Sequence, residues 1–179
     1  MQSDSLTNQV KMKEIKFTLG LLTLISVYSC GTKESKTSGM FHGMWRLDKY
    51  ESFDSLANRW TDDSTWMGSS GYILYDGHGH MGVHLVPKGY RDFDTNKNID
   101  SLSHDDLKKL VKFYKSNFVY FANYNVKATT IEHSRLTATE PRNWETTLTR
   151  DFDFKGDTLI LTAHEKIGGQ KLRLRWIKL

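Results

Sequence analysis

Three of the seven histidines fall within one short stretch: His78, His80 and His84, in Asp76-Gly-His-Gly-His-Met-Gly-Val-His84. Imidazole can hold a metal ion or move a proton near neutral pH. On an extended strand these three positions share parity and point to one face. His78 and His80 would lie about 7 Å apart, a span that two ligands of one ion can share. His84 would lie roughly 13 Å beyond His80, too far to join them without a bend. No acidic residue falls on that face, so an ion would need a third ligand from elsewhere, such as His133 or His164. A turn histidine followed by two wall histidines is the simpler reading, and neither a metal nor another cofactor is expected. The run Asp92-Phe-Asp94-Thr-Asn96-Lys-Asn98-Ile-Asp100 imitates a calcium loop. Lys97 stands where its sharp turn wants glycine, and Ser103 where a bidentate glutamate belongs, so it reads as a solvated loop. Nucleophilic catalysis finds little material. The one cysteine is Cys30, and no Gly-x-Ser-x-Gly elbow occurs. His133 could do acid–base work if a partner converged on it.

These residues need a scaffold, and the pattern predicts strands with one helix. His42 to Glu51 alternates Trp45, Leu47 and Lys49 against Met44, Arg46 and Asp48, as a strand does. The segment 52–67, with Trp60 and Trp66 among polar residues, fits a loop or a short helix. Residues 71–75 and 80–86 read as strands joined at Asp76-Gly-His-Gly79, whose glycines favour a tight hairpin. Ser103 is a helix N-cap with Asp106 three residues on. Leu107, Leu110, Val111 and Tyr114 then make one apolar helical face, ending near Ser116. Five more strands are expected at 118–127, 129–135, 144–154, 158–164 and 171–178. Turns at Lys155-Gly-Asp157 and Gly168-Gly169 separate the last three. Eight strands at hairpin spacing suit an antiparallel barrel, closed so that no edge is exposed, with the helix as lid or plug. An open sandwich is the competing architecture.

The hairpin at 71–86 decides what such a barrel would present inward. A four-residue loop sets Tyr75 opposite His80 and Ile73 opposite Gly82. One face then carries Tyr75, His80 and His84; the other carries Tyr72, Leu74, Met81, Val83 and Leu85. The mixed face is expected inward, because Gly82 leaves room there, and this makes Tyr75, His80 and His84 pocket residues. Tyr120, Tyr124 and Trp144, with Trp60 and Trp66, would add aromatic contact area, and His133 a polar group.

Cys30 follows an apolar run, Phe17–Val27, that is preceded by Lys11, Lys13 and Lys16. A basic start, a short apolar segment and a cut site make an export signal, and the run is too short for the roughly 20 residues of a membrane span. The order resembles a bacterial lipoprotein signal, in which Cys30 carries the lipid and residues 1–29 are removed. Tyr28 departs from the small residue usual there, and Met12 is an alternative start. Residues 31–38 are small, polar and charged, and the stretch 30–41 is expected to form a flexible tether. That leaves 42–179 as one domain with a single core, with no second cysteine for a disulfide. The formal charge of +4 is modest and interspersed. Lys171, Arg173 and Arg175 alternate as on one sheet face, so no nucleic-acid partner is expected.

Several blocks resemble a bacterial and fungal lipocalin-like domain family. Gly43-Met-Trp45-Arg-Leu47, Gly71-Tyr-Ile-Leu-Tyr75, Gly79-His-Met-Gly-Val83 and Tyr120-Phe-Ala-Asn-Tyr124-Asn-Val126 are similar to its first half. His133 with Pro141-Arg-Asn-Trp144, Phe152-Asp-Phe154-Lys-Gly156-Asp157 and Leu172-Arg-Leu-Arg-Trp176 are similar to its second. The resemblance implies an all-β fold: an eight-stranded antiparallel lipocalin-like (calycin-type) barrel with one helix before the fifth strand. It also implies that Trp45 stacks under a last-strand arginine, Arg173 or Arg175. It does not imply one chemistry. The expected role is a monomeric, non-enzymatic binder of a small, mostly apolar molecule, lipid-anchored in the cell envelope. An isomerase or cyclase using His80, His84 or His133, and a pocketless surface module, are the alternatives.

Overall fold

The computed structural model describes residues 36–63, 70–92, 94, 96, 98–166 and 169–179. Cys30, the signal segment and Trp66 lie outside them.

The described residues open with a short helix, α1 (Lys36–Phe41), and then contain nine strands. These are β1 (Gly43–Asp54), β2 (Arg59–Asp62), β3 (Ser70–Tyr75), β4 (His80–Val86), β5 (Phe118–Val126), β6 (Thr130–Ala138), β7 (Thr147–Lys155), β8 (Thr158–Ala163) and β9 (Leu172–Lys178). One longer helix, α2 (His104–Lys115), precedes β5. From β3 onward each strand pairs antiparallel with the next, β3 lies against β1, and β1 pairs with β9. That last pairing closes β1 and β3–β9 into an eight-stranded barrel, and the sandwich alternative falls away. Alternation then sorts the side chains. Trp45, Ile73, Tyr75, Met81, Val83, Tyr120, Ile131, Leu159 and Trp176 are buried inside, while their neighbours face out.

The segment 52–67 resolves, where described, into the end of β1, a turn and β2. β1 outruns the barrel, and its overhang Glu51–Asp54 pairs with β2. Asn58 takes a left-handed φ of 50°, which asparagine tolerates, and the rings of Phe53 and Trp60 meet edge to face at 5.3 Å.

The hairpin register differs from the expected one by one residue. Tyr75 pairs with Met81, not His80, and Ile73 with Val83. The cause is Asp76. Its carboxylate accepts from the backbone N–H groups of His78 and His80 and meets His80 Nδ1 at 2.7 Å, holding a loop one residue longer. A one-residue shift exchanges the faces of a strand relative to its partner. Tyr75, Met81, Val83 and Leu85 therefore point inward, and His80, Gly82 and His84 point outward. Gly82 opens no room inside. The Phe121 ring covers it on the outer surface, about where a Cβ would sit.

Residues 36–41 are not tether but part of the domain. Phe41 is fully buried, and its ring meets Tyr75, Phe152 and Phe154 edge to face at 5.0–5.3 Å. Its carbonyl accepts from Trp45 Nε1 at 2.8 Å. It plugs the barrel end where β1 starts. The helix α2 does not plug anything: Ser103 caps it as the pattern requires, but none of its residues is buried. Phe113 stacks on Tyr90 at 4.8 Å, and Val111 and Tyr114 remain exposed. The expected arginine on Trp45 is also replaced. Lys178 lies 5.1 Å from the Trp45 ring, because it shares inward parity with Trp176, whereas Arg173 and Arg175 point out. Arg173 instead covers Trp60 at 4.4 Å and grips Glu51 through two nitrogens.

Phe41→Ala should lower unfolding stability by about 3–5 kcal/mol, the range for truncating a buried aromatic. Urea unfolding of the variant against the parent measures it, and an unchanged midpoint would show that Phe41 seals nothing.

Candidate functional site

The interior holds one hydrogen-bonded trio. His133 on β6 receives the Tyr75 hydroxyl at Nε2 (3.0 Å) and meets the Tyr120 hydroxyl at Nδ1 (2.9 Å). Alternation places each of these side chains inside, and all three are buried. Burial, with the Arg150 charge adding to it, pushes the His133 pKa down to about 3, so the imidazole is neutral. Burial likewise raises the Tyr75 hydroxyl well above its ordinary value and the Tyr120 hydroxyl to about 12.

A neutral imidazole has one N–H and one bare nitrogen. One tyrosine must therefore donate to it and the other accept, and the acceptor keeps a hydroxyl hydrogen to spare. Tyr75 is fully enclosed, packed against Phe41 and Tyr124, whereas Tyr120 lines a cavity. We assign the N–H to Nδ1, so that Tyr75 donates to Nε2 and the spare hydrogen of Tyr120 enters the cavity, where an acceptor can meet it.

That cavity encloses about 90 Å³ between Tyr120, His133, Arg150 and apolar residues including Ile73, Val83, Leu174 and Trp176. It is room for several waters rather than for a whole ligand, which wants roughly 300 Å³ or more. Phe118 and Arg150 also line a second, wider basin of about 900 Å³ at the barrel end opposite Phe41. Arg150 thus stands between the two spaces. Its guanidinium makes a two-pronged pair with Glu165, both contacts 2.6 Å. Burial alone would raise the Glu165 carboxyl, but Arg150 more than offsets this and holds it below the usual range. Arg135, also buried, directs Nε and Nη2 to Thr146 Oγ1 and lies 5.9 Å from the centre of the Tyr120 ring.

Of the sequence-derived residues, Tyr75, Tyr120, Tyr124 and His133 lie inside, and Tyr120 and His133 line the cavity. His80, His84 and Trp144 do not join them. His80 and His84 border an outer hollow with Met44, Tyr72, Leu74 and Phe121. Trp144 is half exposed and pins the turn after β6 by donating to the Ala138 carbonyl at 2.7 Å. The six histidines other than His133 are exposed, so no second imidazole approaches it. His164 instead pairs with Asp151 outside the barrel at 2.7 Å. Among the described residues no three His, Cys, Asp or Glu side chains form a metal-holding group. The residues sequence reasoning passed over are Arg135, Arg150 and Glu165. Parity offered a signal: Arg135 falls two after His133, and Arg150 two before Phe152.

A closed barrel with this strand order agrees with the comparison to known families, where the profile of a lipocalin-like domain matches residues 42–178. The chain belongs to the lipocalin-like domain family. No curated protein and no solved structure matches it significantly. In this lipocalin-like domain the plugged end and the open end give the barrel a direction, and the trio sits at the floor of the open half. Such a barrel is consistent with binding a small molecule.

The trio has a pH signature. His133 has a pKa near 3 when folded and the ordinary 6.5 when unfolded. Below pH 6.5 the unfolded chain takes up a proton that the fold refuses, so stability is full above 6.5 and falls as acid is added. The slope is about 1.4 kcal/mol per pH unit until the folded pKa is reached. The stability difference between the parent and His133→Gln should therefore shrink between pH 7 and pH 4.5. Chemical denaturation across that range tests it, and parallel curves would mean that His133 is not held neutral.

Proposed function

We propose that the protein is a lipid-anchored binder of the cell envelope that holds a small, mostly apolar molecule in the open half of its barrel. What carries the reading is the inner cavity of about 90 Å³ lined by Tyr120 and His133, which shares Phe118 and Arg150 as wall with a basin of about 900 Å³. A ligand lying in the basin would reach an apolar pocket and meet one donor there, the usual combination of contact area and a few polar groups. The isomerase reading loses its support, because His80 and His84 stand on the outer surface, away from His133. The narrow inner volume favours one other reading, a filled barrel that works through the outer hollow around Met44, Tyr72, Leu74 and Phe121.

The envelope location rests on the sequence around Cys30. Among the described residues no helix is long and apolar enough to cross a membrane. The first described element begins at Lys36, six residues after Cys30 in the chain, so a lipid on Cys30 would hold it near the bilayer.

Native mass spectrometry of protein purified from its own host should reveal a small co-purifying molecule, displaced by fatty or aromatic compounds. Finding no bound mass and no displacement would favour the filled barrel. Cys30→Ser should move the protein from the membrane to the soluble fraction with its thermal unfolding unchanged. Continued membrane association would make the apolar run, and not a lipid, the anchor.

A further inference from the structure

The basin at the open end is cationic, and one of its unpaired charges sits on a buried side chain. Five basic side chains line it against two carboxylates. Each carboxylate already has a partner: Glu165 is gripped by Arg150, and Glu140 lies 3.7 Å from Arg142. Lys115, Lys166 and Arg135 remain, and among the described residues none of them has a carboxylate within 4 Å. The two lysines are exposed and solvated, so their charge costs nothing and selects little.

Arg135 is different. It is only 7 % exposed, it points inward on β6 with Ile131 and His133, and its side-chain hydrogen bonds go to one neutral oxygen, Thr146 Oγ1. A guanidinium carries five N–H donors in a planar fork and stays charged at neutral pH. Removing such a charge from water is costly unless an anion or several acceptors meet it. Here the fork lies beside the Tyr120 ring, which brings no negative charge, and with Nδ1 of His133 protonated the Tyr120 hydroxyl is a further donor. Donors and net positive charge converge on the space between the basin and the inner cavity, with Phe118, Leu148 and Tyr114 as apolar wall.

The geometry points to an amphiphilic anion as the ligand: an apolar body with a carboxylate or phosphate head set against Arg135, the head accepting its free N–H groups. This rests on the ligand-binding reading above and narrows it, since a wholly apolar molecule would bring no acceptor to the remaining N–H groups of Arg135. A carboxylate or a phosphate can accept two guanidinium N–H groups at once, whereas an alcohol offers one weaker, neutral acceptor.

Isothermal titration of the full chain at pH 7.5 with octanoic acid, octyl phosphate and octan-1-ol tests the assignment. At least one of the two anions should bind about tenfold or more tightly than the alcohol, the size of one charge-assisted contact. Arg135→Met, which keeps most of the side-chain volume, should remove most of that gap and leave the alcohol's affinity within about twofold. A double Lys115→Gln, Lys166→Gln variant should change anion binding less than about threefold. If the methionine variant does not fold, the parent decides the matter through the comparison of acid with alcohol. Equal affinities for all three compounds, or a gap that survives in Arg135→Met, would overturn the anion assignment while leaving a binding barrel in place. Binding of none of the three would overturn the binding reading itself and this assignment with it.

Discussion

Pairing of β1 with β9 is the contact from which the other features follow. Without it the strands form a meander with two open edges and no inside. With it, every second residue of eight strands is taken out of water, and the strands' alternation becomes a division between interior and surface. The register of that pairing also sets details. It brings Trp45 opposite Lys178 and Glu51 opposite Arg173, so the cation on the first tryptophan is a lysine and the last-strand arginine serves the β1–β2 overhang.

Closure makes polar residues inside expensive, and the barrel contains several. Their arrangement keeps the cost down by neutrality and pairing. His133 stays uncharged between two tyrosines, and Arg150 shares its charge with Glu165. Plugging one end with Phe41 removes water from below the trio, while the other end stays open to the basin. The result is a graded interior: aromatic packing at the sealed end, a neutral hydrogen-bonded trio in the middle, and charge at the mouth. That gradient gives the barrel chemical direction, which a uniformly apolar cavity would lack.

Much of the fold was legible because its signals are local. Strand alternation, the Ser103 cap and the glycine-bearing turns each act within a few residues, and the elements appear within a few residues of their expected bounds. The strand β2 escaped because four residues paired to an overhang carry no period of their own. The reversed face of β4 escaped because parity depends on the number of residues in one loop, and Asp76 adds one by binding His78 and His80. Tyr120, Tyr124 and His133, named from residue type, reached the interior, whereas Trp144 did not; of Tyr75, His80 and His84, named from the expected hairpin register, only Tyr75 lies inside.

By itself the sequence determined the strand count of the barrel, the family and the aromatic supply of the core, since each is a property of short-range pattern or of ordered motifs along the chain. Tertiary structure alone decided which histidine became the interior one and which helix served as plug. Those outcomes depend on the register between strands distant in the chain. A single residue of offset turns a whole face around, and no local pattern records it.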